Sequence, residues 1–561
     1  MEKPLDVIHV FNVPNGNAGQ YINSAESFQS SKKDASDSSM APVKLRVTAQ
    51  KSMFQSAIGG IISCLGSAVG TGNIWRFPRI LASHSHSTGA LTFYIVWLLI
   101  LFLWSIPIIL VEYSIGRFTR NSVTLALCKF FGQKFFWLGG WMVSVVFLLS
   151  AYYPVILGWC IYYLYISCSV ASLPTTEQDG LEIFNNYTQH SYWPVFTQIL
   201  AVALSGICLA GGIKWIEKAN MILVPLLLSI VIFTFGWSLT RQYAEVGIVF
   251  LFTPAWSSFA DPKLWIAAAG QNAFDTNAGM SVLATYSTFM ARDSRIVSYS
   301  FLIPIVNNVV SFFASITIFS TVFSTIIQTN PTATRSAIVR IIKTAGPGST
   351  GLTFTWIPVL FSKVGISSLL SLTQVYVLSM KEFNVPHRLA VGIALIASML
   401  VGLPSAISLN FLTNQDNTWG YGLIVSGFLF CLVVIIYGPN RYLRVLINDY
   451  GMNDCHLTVA WIPIIAFLVP LQSVTLLVWW IYEAVSQHPD LEWVILIVLL
   501  WILNVFLYRT NMLGEALKRS GGCDPYNPST YTNSDTDKEN NNMETEEMNE
   551  FNSSNTVQTR L

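Results

Sequence analysis

The chain has 561 residues, of which 53% are hydrophobic, 13% aromatic and only 11% charged. This composition is too apolar for a soluble domain and indicates a protein with many membrane spans. The formal net charge of +1 argues against a nucleic-acid partner. The eight cysteines show no metal-binding spacing, so we expect free thiols.

Residues 1–54 are polar and serine-rich and lack a signal-peptide segment, so we expect a cytoplasmic N-terminal tail. Apolar runs that can cross about 30 Å of hydrocarbon then recur over 55–509. They predict an all-α polytopic membrane protein with twelve transmembrane helices. These spans lie near 55–80, 90–116, 136–168, 194–212, 217–239, 263–290, 298–327, 352–381, 387–410, 419–438, 457–485 and 491–509.

The basic residues set the expected orientation. Lys and Arg follow spans two and six and precede span five, which places these loops in the cytosol and both termini on the cytoplasmic side of the plasma membrane. The loop between spans three and four has no Lys or Arg and carries the sequon NYT at Asn186, so we expect an outward, glycosylated loop. Arg335 and Arg340 disagree with this scheme, since parity puts them outside.

The C-terminal segment 510–561 is acidic and asparagine-rich, which predicts a disordered cytoplasmic tail. Its last residues, Thr559 to Leu561, have the form that adds to a sheet edge in a PDZ domain. A PDZ-domain protein is therefore a candidate partner of the tail, and the alternative is that this short ending arises by chance.

Two spans are interrupted at their centres. They contain "GSAVGTGNIWRFPR" (Gly66 to Arg79) and "GQNAFDTNAGMS" (Gly270 to Ser281). Irregular backbone at membrane depth is tolerated only where it is buried in protein or lines a cavity. A pair of interrupted spans at corresponding places in two repeats points to the binding site of a secondary transporter. We therefore expect a 5+5 inverted repeat, over about 55–239 and 263–438, with spans one and six discontinuous and spans eleven and twelve added.

An alternative is that these glycines only let helices pack closely. That interpretation explains Gly59 or Gly60, but it does not explain Asp275 and Asn277 in the middle of a span.

The two interrupted segments resemble the neurotransmitter:sodium symporter family. The stretches "VEYSIGR" (Val111 to Arg117), "AYYPVILGW" (Ala151 to Trp159) and "KWIEKANMILVP" (Lys214 to Pro225) match in the same order. The resemblance implies a sodium-coupled symporter, not an enzyme, that carries a small amino acid or related zwitterion by alternating access. A non-transporting ligand sensor or scaffold of the same fold is the alternative.

The resemblance also implies a substrate site. The amides of Thr71 and Gly72 would bind a carboxylate and the Tyr153 phenol would donate to it, while Gly70 stands where amine carriers have an aspartate. The ammonium would be received by the carbonyls of Ala68, Phe274, Asp275 and Asn277. The pocket would be lined by Leu149, Phe274, Met280, Ser368 and Leu372.

Two sodium sites follow from the same resemblance, since Na+ prefers hard oxygen ligands. The first would use Ala68, Asn73, Asp275 and Asn307. The second would use the carbonyls of Gly66, Val69 and Val364 and the hydroxyls of Ser367 and Ser368. Hydroxyls that bond back to their own helix are the alternative for the two serines.

Gating pairs are also expected. Arg76 would meet Asp416 on the outer side, and Lys51 would meet Glu382 on the cytoplasmic side. A lysine cannot form the planar fork of an arginine, so we expect the inner pair to be weak.

Asp275 stands where the family has Ser or Thr. Of the expected chloride ligands, Gln271 and Ser311 are present, but the tyrosine register falls at Ile95 with Tyr94 beside it. We expect the carboxylate to replace chloride, so that chloride is not required for transport. Proton uptake by Asp275 and a purely structural role are the alternatives.

Two further departures lie within and before span eight. Lys363, in the middle of that span, would act as a fixed cation in place of the second sodium, or would extend into a hydrated vestibule. The stretch that follows the "GPG" motif at 346–348 is also shorter than in the family, which shortens the expected outer lid.

Overall fold

The computed structural model describes residues 8–10, 43–45, 54–70, 72–169, 177–291, 294–332, 334–344, 366–449, 454–487 and 491–520. The chain divides into two compact units, Met1–Met53 and Phe54–Leu561. In the first unit, strand β1 (Ile8–Val10) pairs antiparallel with strand β2 (Val43–Leu45). The described part of the second unit is built from helices.

The first half of the helical unit contains eleven α-helices in its described residues. They are α1 (Ala57–Ala68), α2 (Phe77–His84), α3 (Leu91–Ile100), α4 (Ile106–Thr119), α5 (Val123–Phe131), α6 (Phe136–Ala151), α7 (Tyr153–Ser169), α8 (Glu177–Thr188), α9 (Trp193–Ala210), α10 (Ile213–Leu239) and α11 (Ala244–Phe252). Short 3-10 helices occupy Gln133–Phe135 and Trp256–Ala260, and π-helical turns occupy Gly72–Arg76 and Leu101–Ser105.

The second half contains twelve described α-helices. They are α12 (Pro262–Thr276), α13 (Val282–Ser287), α14 (Ile296–Thr329), α15 (Arg335–Thr344), α16 (Ile366–Glu382), α17 (His387–Ile407), α18 (Leu409–Tyr437), α19 (Pro439–Tyr442), α20 (Trp461–Pro463), α21 (Val469–Gln487), α22 (Leu491–Arg509) and α23 (Met512–Arg519). Further π-helical turns occupy Leu443–Asp449 and Ile464–Leu468.

Eight helices in the described ranges are long and apolar enough to cross a membrane, and the number is ten if each of two bent pairs counts as one span. One bent pair joins Ala57–Ala68 to Gly72–His84 at 44°. The predicted spans six and eight correspond to the shorter helices α12, α13 and α16, with 345–365 outside the described residues. A multi-pass helical membrane protein is thus established, while the count of twelve spans and the inverted repeat stay predictions.

Both predicted interruptions are present, and local chemistry explains them. At the first, Asn73 Oδ1 accepts the Gly70 N–H at 2.8 Å, so this donor does not bond to the Gly66 carbonyl as it would in a continuing helix. At the second, Asn277, Gly279 and Ser281 all have positive φ, at 60°, 84° and 57°. Left-handed residues end a right-handed helix, so α12 stops at Thr276.

Three short helices lie in segments that the hydropathy pattern placed in loops or tails. Helices α8 and α11 follow α7 and α10, and α23 occupies the first part of the predicted C-terminal tail. Leu513, Ala516 and Leu517 of α23 are buried against other helices. Residues Met512–Arg519 are therefore helical, in contrast to the predicted disorder, and 521–561 lie outside the described residues.

Candidate functional site

The two interrupted segments meet each other and helix α16. A Cβ at Gly70 would lie 2.1 Å from Ser368 Oγ, and a Cβ at Gly72 would lie 2.7 Å from Asp275 Oδ1. A side chain at either position would displace the Ser368 hydroxyl or the Asp275 carboxylate, so the absence of a Cβ allows this close approach. The meeting point of α1, α12 and α16 is the candidate site.

A buried polar cluster lies beside Gly72. It consists of Asn73, Asp275, Asn307 and Ser311, and each is 0% exposed. Asn73 Nδ2 donates to Asn307 Oδ1 and to Ser311 Oγ, both at 2.8 Å, and Ser311 Oγ donates to Asp275 Oδ2 at 3.0 Å. This group is called the Asp275 cluster below.

The second carboxylate oxygen of the Asp275 cluster, Oδ1, is buried and has no hydrogen-bond partner among the described residues. An unpaired carboxylate oxygen in a buried site costs several kcal/mol unless a cation or a proton meets it. The cluster therefore combines oxygen atoms that can act as ligands of a hard cation with a negative charge that such a cation would compensate.

Helix α16 brings two hydroxyls to the first interruption. Ser367 and Ser368 are 8% and 4% exposed, and Ser367 Oγ would lie 3.6 Å from a Cβ at Gly66. Helix α1 ends at Ala68 and Val69 is extended; the Leu65 carbonyl accepts the Val69 N–H, whereas the Gly70 N–H bonds to Asn73 and leaves the Gly66 carbonyl without that helical donor. Of the predicted second sodium site, Val364 lies outside the described residues, as does Lys363.

The predicted substrate residues whose side chains the structure describes are buried, and one of them, Phe274, directly precedes Asp275 in α12. The Tyr153 ring stacks on the Phe274 ring at 6.1 Å and 21°. Leu149, Met280 and Leu372 are buried. Of the backbone groups predicted to receive an ammonium, the Asn277 carbonyl accepts the Met280 N–H at 3.0 Å, and Asn277 Nδ2 donates to Ser67 Oγ at 3.1 Å. Thr71 lies outside the described residues.

An ion cluster adjoins Phe274, since the Arg76 guanidinium carbon lies 4.6 Å from the centroid of the Phe274 ring. Asp416 accepts from Arg79 Nη2 at 2.7 Å, from Arg76 Nε at 3.3 Å and from the Tyr152 hydroxyl at 2.8 Å. All four side chains are buried. This group, called the Asp416 cluster below, contains the Arg76–Asp416 pair that the sequence predicts, together with Arg79 and Tyr152, which it does not predict.

The two predicted chloride ligands have protein partners. Gln271 Oε1 accepts from Arg76 Nη1 at 2.7 Å, and Gln271 Nε2 donates to the Gly72 carbonyl at 3.2 Å. Ser311 is held in the Asp275 cluster. The Tyr94 hydroxyl bonds to Ser315 at 2.5 Å, one turn beyond Ser311 along α14. Tyr94 therefore interacts with a different turn of α14.

The start of α1 and the Asp416 cluster lie at opposite ends of the bent pair formed by Ala57–Ala68 and Gly72–His84. Phe54 packs edge-on against Tyr286 at 5.8 Å and against Phe289 at 6.5 Å. Glu217 of α10 accepts from the amides of Gln55 at 2.6 Å and Ser56 at 3.0 Å. A buried carboxylate thus caps the first turn of α1, where the helix dipole favours negative charge.

The predicted partner of Lys51 has another contact. Glu382 accepts the Ser122 N–H at 2.6 Å and also bonds to the Ser122 hydroxyl, which ties the end of α16 to the start of α5. Lys51 lies outside the described residues, so the Lys51–Glu382 pair stays a prediction.

Comparison with known proteins identifies the family. The sequence profile of the sodium:neurotransmitter symporter family matches residues 51–183 and 185–513. The chain belongs to the sodium:neurotransmitter symporter family. Membership of this family of transporters implies co-transport of Na+.

Two relatives of this symporter-family chain carry the name of sodium-dependent transporters. An uncharacterized one from Methanocaldococcus jannaschii is 30% identical over 284 residues, which span 48% of this chain and 56% of that protein. Another, YhdH from Bacillus subtilis, is 26% identical over 438 residues, which span 74% of this chain and 95% of that protein. The crystal structure of MhsT in complex with L-phenylalanine matches with a TM-score of 0.64 and 26% identity, over 76% of this chain and 99% of that chain.

Sequence reasoning about this symporter-family chain missed Glu112 as well as Glu217. Glu112 of α4 is fully buried, and its Oε1 accepts the Gly279 N–H at 2.7 Å, so it stabilises the interruption between α12 and α13. The signal was present, because an acidic residue inside an apolar span indicates a specific partner.

The sequon of this symporter-family chain lies on helix α8. Asn186 is exposed, whereas the next residue, Tyr187, stacks on Tyr162 at a ring distance of 3.9 Å. The Asn186 side chain is therefore accessible, and its glycosylation stays a prediction.

Proposed function

We propose that this chain carries a small amino acid or related zwitterion across the plasma membrane together with Na+, by alternating access. The observation that supports this most is the meeting of two interrupted helices at a buried cluster of oxygen ligands. The bound L-phenylalanine of the similar structure of MhsT supports an amino acid as the substrate class.

The Asp275 cluster supports a first Na+ site. Asn73, Asn307 and Asp275 contribute side-chain oxygens, and the Ala68 carbonyl lies at the free end of α1. A cation in this cluster would require the Asn73 amide oxygen to turn from the Gly70 N–H toward the ion, in exchange for that hydrogen bond. A second Na+ would be held by the hydroxyls of Ser367 and Ser368 with the carbonyls of Gly66, Val69 and Val364.

The position of Asp275 explains why substrate and Na+ would bind together. A substrate carboxylate on the amides of Thr71 and Gly72 would lie beside Asp275 Oδ1, which approaches Gly72. Two neighbouring carboxylates repel each other strongly in a buried site. A cation between them removes the repulsion, so each ligand raises the affinity for the other.

Alternating access then needs a closure on each side of the pocket. We assign the Asp416 cluster to the outer side and the Phe54 contact with Tyr286 and Phe289 to the cytoplasmic side, with the Lys51–Glu382 pair as an additional inner latch. In this orientation both termini are cytoplasmic and Asn186 is outside, where N-glycosidase treatment should shift the wild-type protein but not an Asn186→Gln variant.

Chloride is not required in this proposal, because the Asp275 carboxylate supplies the negative charge next to the first Na+. Its Oδ2 is held by Ser311, and Gln271 is held by Arg76, so both remaining residues of the predicted chloride site already bond to protein groups.

Purified protein in liposomes tests the proposal directly. Labelled neutral amino acids are added with Na+, chloride and proton gradients imposed one at a time. We expect uptake only with an inward Na+ gradient and unchanged uptake when gluconate replaces chloride. An Asn73→Ala variant should lose uptake by at least about tenfold, since it removes a ligand of the first cation.

Two outcomes would contradict transport. Sodium-dependent binding without uptake would favour the alternative of a ligand sensor or scaffold, and uptake driven equally well without Na+ would remove sodium coupling.

A further inference from the structure

We infer that Arg79, more than Arg76, holds Asp416 and so closes the outer side of the site. Arg76 then contacts the predicted substrate residues instead. This inference rests on the proposed function, because it takes the Asp416 cluster as the outer closure. It makes Arg79 a positioning residue of the transport cycle.

The distances separate the two arginines. Arg79 Nη2 lies 2.7 Å from Asp416 Oδ2, which is the length of a strong charge-assisted hydrogen bond. Arg76 Nε lies 3.3 Å from Oδ1 and 3.4 Å from Oδ2, beyond the usual range of such bonds. The stronger ion pair of Asp416 is therefore the pair with Arg79.

The remaining contacts of Arg76 point toward the pocket. Its Nη1 donates to Gln271 Oε1 at 2.7 Å, and its guanidinium carbon lies 4.6 Å from the centroid of the Phe274 ring. Gln271 in turn donates to the Gly72 carbonyl. Arg76 thus covers the predicted substrate wall at Phe274 and is coupled to the interrupted backbone at Gly72.

Burial makes this division of roles consequential. Arg76 is 6% exposed, Arg79 is 3% exposed and Asp416 is 0% exposed, so solvent screens their interactions weakly. Removal of one partner from a buried ion pair leaves an uncompensated charge. Without Arg79, the partners of Asp416 within the described ranges are the long contact with Arg76 and the Tyr152 hydroxyl; without Arg76, the short pair with Arg79 remains.

Chemical accessibility of a reporter cysteine tests the inference. Gly420 of α18 suits this purpose, because a Cβ there would lie 3.5 Å from Arg76 Nη2. A Gly420→Cys reporter is made in a background in which the exposed Cys168 and Cys455 are serine. A membrane-impermeant methanethiosulfonate reagent is added outside, with the full-length protein in proteoliposomes and no substrate present.

Arg79→Gln should raise the modification rate at least about tenfold, and Arg76→Gln should raise it by less than about threefold. Rates are compared per thiolate, from their pH dependence, because a nearby arginine favours the thiolate form of cysteine. Arg76→Gln should instead weaken binding of the labelled amino acid that the wild type transports, with Arg79→Gln changing that affinity less.

A rate for Arg79→Gln that is equal to or below the rate for Arg76→Gln would overturn the inference. If Arg79→Gln does not yield monodisperse protein, Arg79→Lys is used in its place and is compared with Arg76→Lys. An unchanged modification rate for Arg79→Lys together with an increased rate for Arg76→Lys would also overturn the inference. The accessibility measurement needs no transport, so absence of Na+-driven uptake would contradict the proposed function and leave this test intact.

Discussion

At the scale of single residues, Gly70 shows how closely the first interruption is packed against its surroundings. A Cβ at Gly70 would lie 2.1 Å from Ser368 Oγ and 3.3 Å from Ser368 Cβ. Ser368 belongs to a helix that also packs against α1, so a Cβ at Gly70 would force the Ser368 hydroxyl to rotate away from the first interruption. A methyl group at Gly70 would therefore separate the groups that we assign to Na+.

Gly70→Ala should consequently lower Na+-driven uptake by about tenfold or more, because overpacking of a buried contact costs about 1–3 kcal/mol. Gly270→Ala is the matched control, since a Cβ at Gly270 meets nothing within 4 Å. Initial rates of uptake in liposomes, normalised to folded protein, give the comparison. Equal rates for the two variants would show that the contact between Gly70 and Ser368 is not needed for transport.

At the scale of secondary-structure elements, the first turn of α1 depends on a residue of another helix. Glu217 of α10 accepts the Gln55 and Ser56 amides and the Ser56 hydroxyl. These contacts must break if the start of α1 moves away when the cytoplasmic side opens. Glu217 therefore stabilises the closed position of α1.

Glu217→Gln keeps one acceptor oxygen and removes the charge, so the closed position should lose about 1–2 kcal/mol, the usual value of a helix cap. Hydrogen exchange of the amides of Ser56 to Gly60 should become roughly five- to thirtyfold faster. Glu245→Gln, at an exposed acid in the first turn of α11, is the control and should leave that exchange unchanged. If these amides exchange as slowly in Glu217→Gln as in the wild type, the charged cap does not stabilise the closed position of α1.

A second element-scale contact joins α23 to the loop between spans two and three. Leu513 and Leu517 of α23 pack with Leu125, Cys128 and Phe136. Lys129 Nζ donates to the Ser520 carbonyl at 2.7 Å, which binds the end of α23 to α5. The helix is thus part of the folded unit.

Leu513→Asp should lower the thermal stability of the detergent-solubilised protein markedly, because it places a charge in this buried cluster. Met512→Asp, one position earlier and 40% exposed, should change the melting temperature little. The two variants have the same added charge and differ in burial. Equal melting temperatures in a fluorescence-based thermal assay would show that α23 does not dock on α5.

At the scale of the whole molecule, the sequence predicts the interruptions well because they conflict with the local pattern. Gly70, Asp275 and Asn277 are poor residues for the middle of an apolar helix, and a single sequence shows this. The helices α8, α11 and α23 are short and partly polar, so hydropathy assigns them to loops. Their helical state depends on packing against other elements, as for Leu513, and such packing is not visible in local composition.

The ion pairs show the same division between local and tertiary information. A resemblance in sequence aligns Arg76 and Asp416, but the preference of Asp416 for Arg79 depends on the directions of two side chains one turn apart, Arg76 at the end of the π-helical turn and Arg79 in α2. The caps that Glu217 and Glu382 form also join residues far apart in the chain. Spacing within one sequence contains no information about these distances.

The charge balance of the whole centre gives the last prediction. Arg76 and Arg79 are positive, Asp416 and Asp275 are negative, and each bound Na+ adds one positive charge. Replacement of Asp275 by serine removes the only acidic side chain of the Asp275 cluster and leaves a hydroxyl beside Ser311 and Gln271. A mobile anion is then needed to compensate the first Na+, and chloride fits a site with hydroxyl and amide donors.

Wild-type uptake should be the same in chloride and in gluconate. Uptake by Asp275→Ser should require chloride and fall about tenfold or more in gluconate. A tenfold fall corresponds to a loss of about 1.4 kcal/mol, here from the missing negative charge beside the first Na+. Asp261→Ser is the control in the same helix, because serine also caps a helix N-terminus and the position is exposed. Initial rates at fixed Na+ measure both effects. Chloride-dependent uptake by the wild type would contradict the assignment of Asp275 as a fixed substitute for the anion, and undiminished uptake by Asp275→Ser in gluconate would show that the first cation needs no compensating charge at this position.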